Sequence, residues 1–265
     1  MFMLYMLYIL IIAILIIVAI YLKSPAVKGH RSEQTVARKL NYDSAWKQSG
    51  KTLTNIYIPK PSGDTAEIDV LYITKKGLLV LENKNYAGYI FGNESNKNWT
   101  VTLYAGKSWH GNKVEKHQFY NPVWQNRTHI KYLKEYLNTD IKTFSLITFS
   151  NRGDLKSIDV NSPNVFVCSH SALSGVLRQI WSENPDVLTD EQIESIYNKL
   201  LPLTNITKED QQKHIADINN RFNSTDICPV CGGQLVLRTS KKGQYAGNQF
   251  YGCSNYPKCH YTKNL

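Results

Sequence analysis

The chain has 265 residues, room for one full hydrophobic core plus a satellite or for two modest domains. Lys and Arg number 31 against 21 Asp and Glu, and the net charge of +10 favours a polyanionic partner, nucleic acid or an anionic leaflet, by attraction alone. The five cysteines exclude a disulfide scaffold: Cys228, Cys231, Cys253 and Cys259 form two close pairs near the end, the pattern of metal ligands, and Cys168 stands alone.

Phe2 to Leu22 is an unbroken apolar run, matching the roughly 20 residues that cross a bilayer core. No Lys or Arg precedes it, while Lys23, Lys28 and Arg31 follow. The positive-inside rule therefore predicts a single-pass cell-membrane protein, N-terminus outside and bulk cytoplasmic. A cleaved secretory signal would want a basic start, a shorter apolar core and a small-residue cleavage site. Ser24, Pro25 and Ala26 supply only part of the last.

After a short linker from Ser24 to Gly29, the spacing of Glu33, Val36, Ala37 and Leu40 predicts a helix from about Ser32 into the early forties. Strands are expected at Asn55–Ile58, Glu67–Ile73 and Leu78–Glu82, with strands or a loop excursion at Trp99–Trp109. A helix follows over Pro122–Leu137, then strands at Phe144–Phe149 and Val165–Cys168. Leu173, Val176, Leu177, Ile180 and Trp181 mark one amphipathic helix. Thr189 and Gln192 open another as a capping box, with Ile193, Ile196, Tyr197, Leu200 and Leu201 as its stripe. The polar stretch from Thr207 to Phe222 reads as a solvated linker helix. This order predicts a mixed α/β sheet flanked by helices, divided as anchor 1–23, central domain 24–203, linker 204–225 and zinc ribbon 226–265.

In the tail, Cys228-Pro-Val-Cys231 and Cys253…Cys259 flank a hairpin whose strands are Leu235–Leu237 and Gln249–Tyr251. Four thiolates in two tight pairs close a tetrahedron around Zn²⁺ with no open position, so the metal is structural. Gly232 and Gly233 allow the first knuckle to turn sharply. His260 is adjacent, but four cysteines suffice. The segment from about Ile227 to Tyr261, with CPVCGGQLVLR and FYGCSNYPKC, resembles the C-terminal zinc finger of type IA DNA topoisomerases. That resemblance implies DNA binding by stacking on aromatics beside basic side chains. The candidates are Arg238, Lys241, Lys242, Tyr245, Tyr251, Tyr256 and Lys258, while Phe250 is expected in the ribbon's small core.

The apolar run Leu78–Leu81 ends abruptly in Glu82, Asn83 and Lys84. Charges closing a buried strand are unfavourable unless paired or bound to a ligand. Glu82 and Lys84 project to one face of an extended strand. If Lys75 and Lys76 form a two-residue loop, Asp69 lies opposite Glu82, and the two carboxylates call for a cation. A three-residue loop using Gly77 slips the register and separates them. Two carboxylates and a lysine on adjacent strands suit phosphodiester hydrolysis with Mg²⁺ or Mn²⁺.

Here the chain resembles the nuclease-related domain (NERD) family of the PD-(D/E)xK superfamily, over roughly Gly29 to Leu200. Three blocks carry it: Gly29 to Glu33; Glu67 to Asp69 with Glu82 to Gly88; and Asn121, Pro122, Gln125 and Asn126. The resemblance implies a restriction-endonuclease-like fold, with Asp69 and Glu82 as magnesium ligands, Lys84 as catalytic lysine, Glu33 as auxiliary acid and Gln125 contacting phosphate or water. Ser32 stands where the family usually has Gly, and Ile68 replaces the superfamily's Pro. The plainer alternatives are an ordinary Asp69–Lys84 ion pair, a solvated Glu33 and simple helix-start chemistry at Asn121, Pro122 and Gln125. His110, His117 and His129 are expected as surface or packing histidines, and Cys168 as a small buried hydrophobe.

Together these readings predict a membrane-anchored, Mg²⁺-dependent nuclease acting on DNA. The alternatives are a catalytically inactive, membrane-linked DNA-binding scaffold and a ribbon that binds protein.

Overall fold

The computed structural model describes residues 25–42, 50–61, 63–108, 111–205, 226–228, 233–241, 246–257 and 259–265, with 6, 8, 12, 207, 209, 212 and 216. Most of the apolar run expected as an anchor, most of the polar linker, and Trp109, His110, Cys231, Lys242, Tyr245 and Lys258 lie outside the described residues. No helix among the described residues is long and apolar enough to cross a membrane.

Helix α1 spans Pro25–Tyr42. It begins earlier than the helical stripe suggests, because Pro25 sits where its fixed φ and missing N–H favour a helix start. Strands β1 (Gly50–Pro59), β2 (Thr65–Thr74), β3 (Gly77–Lys84), β7 (Thr143–Phe149) and β9 (Val165–Ser169) form one five-stranded sheet in the order β1-β2-β3-β7-β9. Its first three strands are antiparallel, and β3, β7 and β9 run parallel. Helix α2 (Pro122–Leu137) lies on the crossover from β3 to β7, and β3 accordingly reads as a continuous apolar strand.

Helices cover both faces. Val36, Ala37 and Leu40 of α1 join Leu173, Leu177 and Ile180 of α3 (Leu173–Glu183) over Val70, Tyr72, Leu79 and Leu81. On the other face Leu133 of α2 and Ile193 and Leu200 of α4 (Asp190–Leu200) cover Ile68, Leu71, Ile73, Leu78 and Val80. The Thr189/Gln192 capping box at the start of α4 is formed in both directions. A single-turn 3₁₀ helix, Leu201–Thr204, follows it.

A second sheet is present, of which only the segment expected as strands or a loop excursion at Trp99–Trp109 was anticipated, as the strand Asn98–Ser108. It comprises β4 (Gly88–Asn93), β5 (Asn98–Ser108), β6 (Gly111–Tyr120) and β8 (Gly153–Asp159), in the order β6-β5-β4-β8. Ile90, Trp99 and Val101 pack it against Ile147 and Phe149 of β7 and Val123 of α2.

The turn between β2 and β3 decides the geometry of the carboxylates. Thr74 pairs with Gly77, so Lys75 and Lys76 form a two-residue loop, the first of the two registers considered. Gly77 takes a φ of +120°, and a Cβ there would fall 2.2 Å from the Lys142 carbonyl oxygen, which accepts from Leu78 N. Both features exclude a side chain. Gly77→Ala should destabilise the domain by about 2 kcal/mol or more, read as a lower denaturant midpoint at unchanged slope.

The ribbon is a three-stranded antiparallel sheet of β10 (Leu235–Thr239), β11 (Gln249–Cys253) and β12 (Thr262–Asn264). Its core is Cys228, Leu235, Cys253, Cys259 and Tyr261, with Tyr251 packed against it. Phe250, expected at the centre, is only half-buried, and Tyr261 takes that place.

Candidate active site and zinc ribbon

Glu82 ends the buried part of β3 and is 2% exposed. Its Oε1 accepts from Lys84 Nζ at 2.7 Å, and the same ammonium donates to Gln125 Oε1 of α2 at 3.0 Å. Glu82 Oε2 accepts no hydrogen bond among the described residues and faces His129 Nδ1 at 3.5 Å. Gln125 and His129 are one helical turn apart and so share a face of α2. His129, to which the sequence reading gave no role, thus belongs to the site; its i, i+4 spacing from Gln125 was the available signal.

Asp69 sits where β2 changes parity. Ile68 shares a core with Leu71 and Ile73, while Val70 and Tyr72 face the other helix layer. Across the pair, β1 passes from Thr54↔Val70 to Ile56↔Ile68 over Asn55, whose φ is +52°. The β2–β3 ladder stops at Val70↔Leu81, and the Asp69 carboxylate instead accepts from the Asn83 amide at 2.7 Å. Burial pushes its acid well above the usual carboxylate range, and the Glu82 charge adds to this against the Lys84 ammonium. Burial opposes the charge on Lys84, but Glu82 and Asp69 outweigh it and hold the ammonium firmly protonated.

Glu67 extends the acidic cluster. Tyr57 Oη donates to it at 2.6 Å; burial raises the Glu67 acid against that bond, and Glu82 raises it further. Glu33 of α1 is half-buried, and its charge acts on both Asp69 and Tyr57. The five residues expected at the site, Glu33, Asp69, Glu82, Lys84 and Gln125, are therefore brought together electrostatically. Among the described residues, however, only the cysteines of the ribbon supply three ligand atoms within 4.8 Å of one another. The described carboxylates form no such cage.

The Asn121–Asn126 block has a structural role beside Gln125. Asn121 Oδ1 accepts from Val123 N as the cap of α2, while its Nδ2 donates to the carbonyls of Asn93, Glu94 and Asn96. Asn126 Nδ2 bridges the Val80 carbonyl and Ser145 Oγ, riveting α2 to β3 and β7. Asn121→Ala should lower stability by about 2–4 kcal/mol, from a lost cap and carbonyls left without donors, seen as an early thermal transition.

In the ribbon, the sulfur atoms of Cys228, Cys253 and Cys259 gather within 4.8 Å, with Cys228 and Cys259 at 3.7 Å. Asn255 N donates to Cys253 Sγ, and a Cβ on Gly233 would meet that sulfur at 3.3 Å and Asn255 Nδ2 at 2.6 Å. Such crowding of sulfur and backbone around a buried point suits a tetrahedral thiolate site.

Tyr256 is 58% exposed, with the Arg238 guanidinium 5.7 Å from its ring centre and His260 edge-on at 5.1 Å. Lys241 is exposed, but Tyr251 packs on the cysteine core. Arg238 is also tied to the Cys253 carbonyl. Among the described residues, Tyr256 and Arg238 form an exposed aromatic and basic pair of the kind that can stack a base. Lys97, between β4 and β5, docks the ribbon: its ammonium donates to the Thr262 carbonyl at 2.8 Å and lies 4.2 Å from the Tyr261 ring centre. Beside this contact, Trp124, Arg127, Lys131, Tyr132, Glu94 and His260 line a cavity of about 550 Å³.

Comparison with known proteins matches this division. Residues 28–150 fit the family described as nuclease-related domain (NERD), and residues 225–265 the topoisomerase DNA binding C4 zinc finger. An uncharacterised protein of Bacillus anthracis is 29% identical over 198 residues, which cover 75% of this chain and 87% of that one. DNA topoisomerase 1 of Methanocaldococcus jannaschii is 62% identical over 39 residues, 15% of this chain and 4% of that enzyme. DNA topoisomerase 1 of Archaeoglobus fulgidus is 60% identical over 38 residues, 14% of this chain and 5% of that enzyme. No solved structure gives a significant match. The chain thus matches a nuclease-related domain over residues 28–150 and a topoisomerase-type C4 zinc ribbon over residues 225–265.

Proposed function

We propose that this protein is a membrane-anchored, Mg²⁺-dependent nuclease that hydrolyses DNA phosphodiester bonds and uses its zinc ribbon to capture the strand. The observation that carries this reading is Glu82, a buried carboxylate whose one oxygen holds Lys84 while the other accepts no hydrogen bond among the described residues, beside Asp69. Two carboxylates so placed repel, and a divalent cation relieves that repulsion.

Asp69 and Glu82 would hold the ion. Bound there, Mg²⁺ or Mn²⁺ would polarise a phosphoryl oxygen and acidify a water. Lys84 stays protonated between Glu82 and Gln125 and presents its positive charge to the charge that develops on the phosphate. Gln125 fixes the direction of that ammonium, and Glu33 and Glu67 add negative field that favours the cation. His129 lies over the second oxygen of Glu82 and limits how it turns.

Four cysteines with Zn²⁺ carry a charge of about −2, which Arg238 and the neighbouring lysines offset. Attraction to phosphate then combines with stacking on Tyr256. Anchoring rests on the apolar run Phe2–Leu22 and the basic residues after it, Lys23, Lys28 and Arg31, and places the bulk of the chain on the cytoplasmic side. Purified full-length protein in detergent should nick or degrade DNA with Mg²⁺ and stop when EDTA is added. DNA retention with no cleavage in Mg²⁺ or Mn²⁺ would replace this reading by the binding scaffold.

A further inference from the structure

Beside the carboxyl end of β3 lies a shallow cavity of about 270 Å³ lined by Arg31, Ser32, Thr35, Asn85 and Arg152. Its described lining includes two arginines and no acidic residue. Arg152 is oriented by its own contacts: its Nη2 donates to the Asn85 carbonyl at 3.3 Å and to Asn85 Oδ1 at 2.9 Å. Thr35 spends its hydroxyl proton on the Arg31 carbonyl.

Ser32 is the informative member. It is 8% exposed, yet its hydroxyl has no hydrogen-bond partner among the described residues. Helical serines commonly bond back to the carbonyl four residues earlier, and a buried hydroxyl left without a partner is unfavourable. A donor held in that state at the wall of a doubly cationic cavity is suited to an acceptor that arrives with the ligand. Two arginines and a hydroxyl, reaching the cavity from α1 and from the turn before β8, form no single planar fork and so suit a tetrahedral oxyanion better than a carboxylate.

We propose that Arg31, Ser32 and Arg152 form a phosphate-binding subsite that grips a phosphoryl group of the nucleic-acid strand other than the one cleaved. The proposal rests on the reading above that a nucleic-acid strand reaches Lys84; Asn85, which lines the cavity, is the residue next to it in the chain. The same chemistry serves a terminal phosphate monoester or an internal diester, and the subsite would set register between the grip and the cut.

The test uses the full-length protein in detergent, with Ca²⁺ replacing Mg²⁺ so that binding is measured without cleavage. The probes are a single-stranded oligonucleotide with a 5′-phosphate, the same strand with a 5′-hydroxyl, and a circular single strand, titrated across salt. Arg31→Gln with Arg152→Gln should weaken binding about tenfold and reduce the slope of log K against log salt by about 0.7–1. Ser32→Gly should weaken binding several-fold at unchanged slope, because it removes a neutral donor. Loss confined to the 5′-phosphorylated strand assigns the terminal monoester, and equal loss on the circle assigns the internal diester.

If the double variant melts early through loss of the Arg152–Asn85 contact, Arg31→Gln alone carries the test, since its guanidinium holds no other group among the described residues. An unchanged slope in that single variant, with wild-type binding in Ser32→Gly, would overturn the subsite. Wild-type protein that cleaves in Mg²⁺ while these variants bind normally fails the subsite alone. Salt slopes that shift as expected without any cleavage fail the nuclease reading alone.

Discussion

Asp69→Asn should lower Mg²⁺-dependent DNA cleavage by about 10³-fold or more, the several kcal/mol that a metal contributes to a phosphoryl transition state, while the protein melts at or above the wild-type temperature. The substitution is nearly isosteric. It keeps an acceptor for the Asn83 amide, which donates to the Asp69 carboxylate at 2.7 Å. What it removes is a charge that burial and Glu82 already disfavour. Stability and activity are therefore expected to move in opposite directions, which an unfolding variant cannot imitate.

Lys84 gives a less clean test. Its ammonium is the hydrogen-bonded counter-charge of Glu82, which is 2% exposed. Lys84→Ala would strand that carboxylate, a change that typically destabilises by about 3–5 kcal/mol. Lost activity there would say little about chemistry. Calorimetric titration with Mn²⁺ completes the comparison: Asp69→Asn should bind the ion at least about tenfold more weakly. Equal cleavage by wild type and Asp69→Asn would trace the activity to a contaminant and end the nuclease assignment.

The parts legible in the sequence were those where burial and periodicity agree. The stripe at Leu173, Leu177 and Ile180 and the capping box at Thr189 and Gln192 became helices at the expected places. Beyond the Trp99–Trp109 segment that became β5, the second sheet was not legible, for a physical reason. Strand β6 has exposed residues from Val114 to Gln118 and gains its conformation from pairing with β5 rather than from a buried face. The short strand β8 loses its alternation at the bulge where β4 passes from Ile90 to Phe91.

At the candidate site, side-chain types and spacing named the residues but not their arrangement. Two loop lengths were open between β2 and β3, and the choice rests on Gly77 pressing against the Lys142 carbonyl, a contact across many residues of chain. Strict alternation would place Ile68 with Val70, whereas the change of parity at Asp69 places it with Leu71 and Ile73. The link from Lys84 to Gln125 likewise crosses between elements. It depends on Asn121 and Asn126, which fix α2 against the loop and the sheet through carbonyls that no sequence pattern announces.

Removing zinc should separate capture from cutting. The ribbon buries few apolar side chains, chiefly Leu235 and Tyr261 around its cysteines, so its folding energy must come largely from the metal, about 10–16 kcal/mol for comparable structural sites. A strong chelator, or Cys253→Ser, should unfold residues 226–265 and release one zinc per chain, measured by metal analysis. DNA retention at moderate salt should then fall by about tenfold or more, as the stacking pair and its lysines are lost. The helices and sheets of the central domain have their own cores, so its thermal transition should persist. Once the Lys97 contact to Thr262 and Tyr261 is broken, amide exchange should quicken around Lys97 and Asn121, whose backbone N–H donates to the Lys97 carbonyl. Cleavage at high DNA concentration should survive the loss, since Asp69, Glu82 and Lys84 owe nothing to the ribbon. A chelated protein that keeps full affinity for DNA would place the capture surface on the central domain instead, with the Trp124, Arg127 and Lys131 face of α2 as the first place to look.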